Sequence, residues 1–332
     1  MVERDVVIIG AGPSGLSAAI FTQLDSWSTL ILESNWVGGQ GAIAYTVMNY
    51  PGFHPGDGAI LMESMQKQVT SKPPAGVGAE IRQEKALSLD TMNKVVTTEK
   101  NKYRAGTIIL ATGSTMQKLN VPGEEKFMGR GVSYYAKNYY KMFKDKKIIV
   151  VGGGNAAAKS AILAKKEGKA SEVIIIHRRG SLRTYPIIKK KLEKEGVIIW
   201  YNMELMRIIG KDKVEALNVR DNKTNKESEV STDWVVICTG TKADIKLAKE
   251  SGVKIVGDFV EINEEMMTSK KGIFACGEIT GCRKHLVNVA SEGALAGMAA
   301  SEYLALEKVR KGETFEGARN GKYVEEYLEM LE

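Results

Sequence analysis

The chain has 332 residues, 43% of them hydrophobic and 26% charged, with 34 Gly, 7 Pro and 3 Cys. That is too apolar for a disordered chain, too charged for a membrane span and too poor in cysteine for a disulfide scaffold. The length suits two domains with their own cores, and the cysteine usage predicts a cytoplasmic protein. Only a few residues precede the first apolar run, so no signal peptide is expected, and no membrane or metal site is expected either.

The net charge of +7 is unevenly placed. Residues 117–244 hold 26 Lys+Arg against 15 Asp+Glu, whereas the rest of the chain holds 21 against 25. A basic segment attracts nucleic acid, phosphorylated cofactors or an acidic protein, and charge alone does not choose among them.

The first element predicted in chain order is a strand over Asp5–Ile9. It runs into Gly10-Ala-Gly12-Pro13-Ser14-Gly15 and a helix from Leu16, and a second strand, Leu30–Leu32, ends in Glu33. This is the dinucleotide fingerprint in its proper setting: Gly10 for the tight turn, Gly12 for close approach of a pyrophosphate, Gly15 for helix–strand packing, and an acid for a ribose hydroxyl. The helix N-terminus supplies N–H donors and a positive dipole for the phosphates.

Further strands are predicted around Tyr103–Leu110, ending in Ala111-Thr112-Gly113. A second copy of the unit follows: Ile148–Val151, then Gly152-Gly-Gly154-Asn155-Ala156-Ala157, a helix to about Lys166, and the strand Glu172–Ile176. Where the first copy has Glu33, this one has His177-Arg178-Arg179 and then Arg183. A carboxylate would repel an adenosine 2′-phosphate, whereas guanidinium groups bind it. The first site is therefore expected to hold a dinucleotide with a free ribose and the second to prefer NADPH over NADH, although the arginines would also suit a solvated face. A strand at Trp234–Gly240 leads back, Gly272–Glu278 reads as another strand with a glycine and an acid, and a long helix runs from about Leu286 to Leu306. The predicted fold class is α/β: two Rossmann-like three-layer nucleotide-binding domains, the NADPH domain inserted into the FAD domain. The expected boundaries are 1–116, 117–244 and 245–332. Two dinucleotide sites imply electron traffic from a nicotinamide to a bound flavin.

In this order the motifs resemble the low-molecular-weight thioredoxin reductase family along about 300 residues. The resemblance rests on the two glycine units, Gly38-Gly39-Gln40, Asn49-Tyr-Pro51-Gly52, Ala111-Thr112-Gly113, Gly129-Arg-Gly131-Val132, His177-Arg-Arg-x-x-x-Arg183 and Gly272-Ile-Phe-Ala-Cys-Gly277-Glu278. It implies a homodimer with tightly bound FAD. It adds Gly39, Gln40, Asn49, Ala111, Thr112, Gly113, Gly277, Glu278, His285 and Leu286 to the FAD residues, and Gly240 to the NADP residues. The family usually has Asp where Glu278 stands, and Arg-Gln where Lys284-His285 stand.

One departure decides the chemistry. The family carries Cys-x-x-Cys after its Gly-Val-Ser, whereas here Gly131-Val-Ser133 is followed by Tyr134-Tyr135-Ala136-Lys137-Asn138, with Tyr135 and Asn138 in the two cysteine places. A dithiol relay is excluded there. Cys276 and Cys282 are expected as small thiols rather than a substitute pair, Cys238 as a core residue, and His54 as a loop residue.

A branch without the cysteine pair, the thioredoxin-reductase-like ferredoxin–NADP+ reductases, carries similar aromatics. By that resemblance Tyr45 lies against the flavin ring, or else packs elsewhere in its loop. Tyr45, Tyr135 and His285 are the expected positioning residues in catalysis. The C-terminal segment 321–331 has helical spacing and is expected either to cover a neighbouring subunit's flavin or to dock as a plain helix. The activity so implied is hydride transfer from NADPH to FAD, then single electrons to ferredoxin or another acidic acceptor. Alternatives are an oxygen, quinone or flavin acceptor, or an NADPH-sensing flavoprotein. Nucleic acid is not expected, because the lysine runs at 146–147 and 189–191 lack an aromatic platform.

Overall fold

The computed structural model describes residues 1–71 and 78–312. The expected helix at 321–331, with Tyr323 and Tyr327, lies outside the described residues. The chain separates into two compact units, one made of residues 1–115 and 242–332 and the other of Met116–Thr241.

The flanking unit begins β1 (Val2–Ile9), α1 (Pro13–Leu24), β2 (Thr29–Glu33), α2 (Gly39–Ala42) and α3 (Gly58–Thr70). It continues β3 (Glu80–Gln83), β4 (Ala86–Asp90), β5 (Val95–Thr98), β6 (Lys102–Leu110) and β7 (Ser114–Met116), the last crossing into the inserted unit. There the order is β8 (Val132–Ser133), β9 (Lys147–Val151), α4 (Asn155–Lys166), β10 (Glu172–His177), α5 (Pro186–Lys194) and β11 (Ile198–Tyr201). Then come β12 (Met203–Ile209), β13 (Ala216–Asp221), β14 (Glu227–Ser231) and β15 (Trp234–Ile237). The chain returns through β16 (Thr241–Ala243) to α6 (Lys246–Glu250), β17 (Ile255–Val256), β18 (Phe259–Val260), β19 (Ile273–Ala275) and α7 (Leu286–Arg310).

In the flanking unit the sheet order is β3-β2-β1-β6-β5-β4. The last four residues of β1 align with both neighbours, Ile8 opposite Ile31 and Ile109. The end of β6 pairs parallel with β19, Ile109 opposite Phe274, while its start pairs antiparallel with β5. Alternation sends Val6, Ile8 and Ile31 to one core with α1, α3 and α7, and Val7, Ile9, Leu30 and Leu32 to another on the opposite face. Both faces are thus covered, which explains strands that read as unbroken apolar runs instead of alternating ones. Helix α7 lies close on α1: a Cβ on Gly293 would sit 2.1 Å from the Ser14 carbonyl oxygen, and one on Gly297 2.5 Å from that of Ala18. Any side chain at either position would push the two helices apart. The helix also runs one turn past the expected Leu306, so Lys308 belongs to it and not to a tail.

The inserted unit repeats the plan with a five-stranded sheet in the order β11-β10-β9-β15-β8 and a separate antiparallel sheet, β12-β13-β14. Ile149, Val151, Ile174, Ile176, Val235 and Ile237 pack on Leu205, Ile208, Leu217 and Val219 of that second sheet. The chain is therefore α/β with one Rossmann-like unit inserted into another.

Candidate dinucleotide sites

In the flanking unit, β1 turns at Gly10, whose φ is +111° and whose N–H donates to the Leu32 carbonyl at 2.8 Å. A Cβ there would lie 2.2 Å from the Ala111 carbonyl oxygen, so the turn is closed to any other residue. A Cβ on Gly15 would meet the Gly10 carbonyl oxygen at 1.9 Å, and one on Gly12 nothing within 4 Å. The open space lies at the N-cap of α1, beside the helix's unpaired N–H groups, with Pro13 at its start. Across the loop the buried Glu33 accepts Ala11 N–H through Oε2 and Asn35 N–H through Oε1, each at 2.8 Å. The space over Gly12, the helix N-terminus and the carboxylate suit a pyrophosphate and a free ribose, the polar parts of a dinucleotide.

The other residues expected around this site come from four separate segments. Gly39 begins α2, and a Cβ on it would approach Gly12 Cα at 3.4 Å. Gln40 donates to the Ser114 carbonyl at 3.2 Å. Tyr45 is half-buried in the loop after α2. Asn49 and His285, 236 positions apart, meet with Nδ2 and Nδ1 at 3.4 Å, and His285 is the N-cap of α7, followed by the half-buried Leu286. Ala111 N–H returns to the Ile9 carbonyl at 2.8 Å, the Thr112 hydroxyl donates to the Asp244 carbonyl at 2.7 Å, and Gly113 has φ +66°. Gly277, φ +84°, packs where a Cβ would meet Ser14 Oγ at 2.6 Å, and Glu278 forms a loose ion pair with Lys284 at 3.8 Å.

Glu292 was not among the expected site residues. Its Oε2 accepts Gly277 N–H at 2.9 Å and the Thr280 hydroxyl at 2.6 Å, so it holds the turn that presents Glu278. The available signal was one acid among the small residues of α7, which by itself names no partner.

The second glycine loop belongs wholly to the inserted unit. Gly152 has φ +145°, donates to the Ile176 carbonyl at 3.0 Å and has no room for a Cβ, which would lie 2.3 Å from the Cys238 carbonyl oxygen. Gly154, the N-cap of α4, again faces open space, as does Gly240. Asn155 opens α4; its Oδ1 accepts the Thr184 hydroxyl at 2.6 Å and Tyr185 N–H at 3.3 Å, tying the helix start to the arginine loop. Ala156 is exposed and Ala157 buried beneath the turn. Arg178, Arg179 and Arg183 are exposed and unpaired with any carboxylate among the described residues. His177 is buried among them. Burial pushes its imidazole pKa down, and the charges of Arg183, Arg179 and Arg178 add to that effect.

Tyr135 also lies in this unit, at the start of the 3-10 turn Ala136–Asn138. The segment before it is pinned: Tyr134 donates to Glu124 Oε1 at 2.7 Å and Trp234 Nε1 to Ser133 Oγ at 2.9 Å. The three thiols lie elsewhere. Cys238 and Cys276 are buried and Cys282 partly so. Burial pushes Cys238 up to about 11 and, with help from the Glu292 charge, Cys282 up to about 12; burial raises Cys276 as well.

Two Rossmann-like units, each with an open glycine at a helix N-cap, define the class of two-dinucleotide α/β oxidoreductases. Residues 4–294 match the family described as pyridine nucleotide-disulphide oxidoreductase. A thioredoxin reductase of Treponema pallidum (strain Nichols) is 33% identical over 307 residues, spanning 91% of this chain and 97% of its own. One from Bacillus subtilis (strain 168) is 34% identical over 306 residues, spanning 90% and 94%. The crystal structure of T. acidophilum thioredoxin reductase superposes with a TM-score of 0.84 at 28% identity, covering 91% of this chain and 99% of that one. The chain belongs to the pyridine nucleotide-disulphide oxidoreductase family and is thioredoxin-reductase-like along nine-tenths of its length. It is thus an oxidoreductase of a flavin-dependent family. None of its described helices is long and apolar enough to cross a membrane.

Proposed function

We propose that this chain is an NADPH-dependent flavoprotein that delivers electrons to a one-electron acceptor protein, ferredoxin or a similar acidic carrier, without a dithiol intermediate. The observation that carries the reading is the pair Tyr135 and Asn138, which stand where the resembled family has its cysteines. The remaining thiols are raised well above the range in which a thiolate attacks a disulfide at neutral pH.

The flanking unit is the FAD domain in this reading, with Gly10, Gly12, Pro13, Ser14 and Gly15 at the pyrophosphate. Glu33 takes the ribose, and Gly39, Gln40, Asn49, Ala111–Gly113, Gly277 and Glu278 line the rest. Tyr45 and His285 position the ring end. FAD, when bound, accepts a hydride and releases electrons singly. The inserted unit takes NADPH: Gly152, Gly154 and Asn155–Ala157 present the loop and the helix N-terminus, and Arg178, Arg179 and Arg183 hold the 2′-phosphate. The hydride step asks no protein group to carry a proton, so the side chains orient and exclude water. Tyr135, at the start of the 3-10 turn Ala136–Asn138, is assigned a positioning role and supplies no thiol nucleophile.

The basic surplus supports the acceptor. Residues 116–241 hold 25 Lys+Arg against 14 Asp+Glu, and three arginines at the phosphate account for only part of that. A positive surface speeds encounter with an acidic carrier. The protein is proposed to work as a cytoplasmic homodimer. A steady-state screen of ferredoxin, thioredoxin, quinone, free flavin and oxygen with NADPH tests the reading: ferredoxin is expected to give the highest kcat/KM, and turnover of thioredoxin would overturn it.

A further inference from the structure

The two glycine units can be superimposed through their own hydrogen bonds. Gly10 N–H donates to the Leu32 carbonyl, and Gly152 N–H donates to that of Ile176. Leu32 and Ile176 lie opposite Ile9 and Val151 in the two sheets. The residues that follow therefore correspond: Ala11 with Gly153, and Glu33 with His177. The carbonyls match as well, since Ala11 O accepts Gly38 N–H at 2.8 Å and Gly153 O accepts Arg183 N–H at 2.7 Å.

At these paired positions the two units make opposite choices. In the first, a carboxylate reaches under the loop and binds the N–H of a residue that carries a methyl group. In the second, an imidazole lies against a residue that has none. A Cβ on Gly153 would fall 2.2 Å from His177 Cε1 and 2.4 Å from both ring nitrogens. His177 is only 5% exposed, and its Nε2 is buried without a hydrogen-bond partner among the described residues. An orphaned ring nitrogen costs free energy, so the ring's position there calls for a compensating role.

Resting on the NADPH reading of this site, we propose that Gly153 and His177 are one coupled specificity element. The imidazole is a wedge: it fills the volume that a Cβ would need, and it keeps a carboxylate away from the 2′-phosphate position. By packing under Gly153 it also sets the carbonyl that Arg183 N–H binds, and through it the start of the segment carrying the third arginine. Burial, with the charges of Arg183, Arg179 and Arg178, disfavours a charged imidazole, and the phosphate contacts are assigned to the arginines. Ala11 with Glu33 is the same element set for an unphosphorylated ribose. Neither half can be exchanged without the other.

The test is a double-mutant cycle on the purified holoenzyme. Gly153→Ala, His177→Glu and Gly153→Ala/His177→Glu are compared by calorimetric titration with NADP+ and NAD+, with thermal unfolding as the control for folding. Gly153→Ala alone is expected to weaken both nucleotides by about tenfold or more, because the methyl group must displace the ring or the loop. His177→Glu alone is expected to lower the NADP+/NAD+ affinity ratio by about tenfold. The double variant is expected to bind NAD+ within about threefold of the unmodified protein, a non-additive recovery that contact-coupled residues show. Should the Glu variants fail to fold, Gly153→Ala/His177→Ala opens the same space, and it must recover the NADP+ affinity lost in Gly153→Ala. Additive effects, or a Gly153→Ala variant that binds both nucleotides normally, overturn the coupling. If the unmodified protein binds neither nucleotide, the underlying reading of the site fails instead.

Discussion

Replacing Arg178 and Arg179 together by Ala tests the phosphate side of the second site. Both are exposed and free of carboxylate partners among the described residues, so removal leaves no buried carboxylate unpaired. A charge-assisted hydrogen bond contributes about 1.5–3 kcal/mol, and exposure to water reduces this to about 1 kcal/mol per group. Two groups then amount to about 2 kcal/mol, or about 30-fold in kcat/KM for NADPH. NADH has no 2′-phosphate and is expected to change by less than about twofold. Arg183 is left in place so that the variant removes only the two adjacent guanidinium groups that follow β10. The assay is the initial rate with an artificial one-electron acceptor over a range of each nucleotide, supported by direct titration of NADP+. An unchanged NADPH/NADH ratio would refute the assignment of these arginines to a phosphate and leave them as a solvated face.

Two further outcomes are expected. With Cys282 raised to about 12, about 1 thiol in 30,000 is ionised at pH 7.5. The folded protein should therefore consume iodoacetamide at least about a hundredfold more slowly than the unfolded chain, and rapid labelling of folded Cys282 would contradict this. Glu84 is buried, which by itself raises its pKa, yet hydrogen bonds from Thr98, Tyr103 and Asn101 and the charge of Arg82 outweigh burial and hold it below the usual range. A carboxyl depressed by folding contributes stability that is full above its unfolded value, about 4.3, and lost as pH falls through the folded value. Glu84→Gln should accordingly cost about 1–3 kcal/mol at pH 7 by urea unfolding, with the gap closing as pH falls below the unfolded value; a gap independent of pH would contradict the sign.

The architecture was legible because both glycine units sit between a strand and a helix, and because strands covered on two faces read as continuous Val/Ile runs. Element ends were less so. The strand expected through Gly240 stops at Ile237, and α7 outruns Leu306, since nothing between Leu306 and Arg310 breaks a helix. Pairings across the sequence were invisible. No spacing rule links Asn49 to His285, or Glu292 to the turn at Gly277, because each depends on where a sheet places its loops. Gly153 carried no signal either: in a run of three glycines, only the ring of His177 shows why the middle one is needed.

The central claim is electron delivery without a dithiol, and rapid mixing of the NADPH-reduced enzyme with separate acceptors tests it most directly. Flavin absorbance should return with oxidised ferredoxin at a rate that rises with its concentration and falls with added salt, far above the rate with dissolved oxygen, and not at all with thioredoxin. Reoxidation by ferredoxin no faster than by oxygen, or fast reoxidation by thioredoxin, would contradict the account.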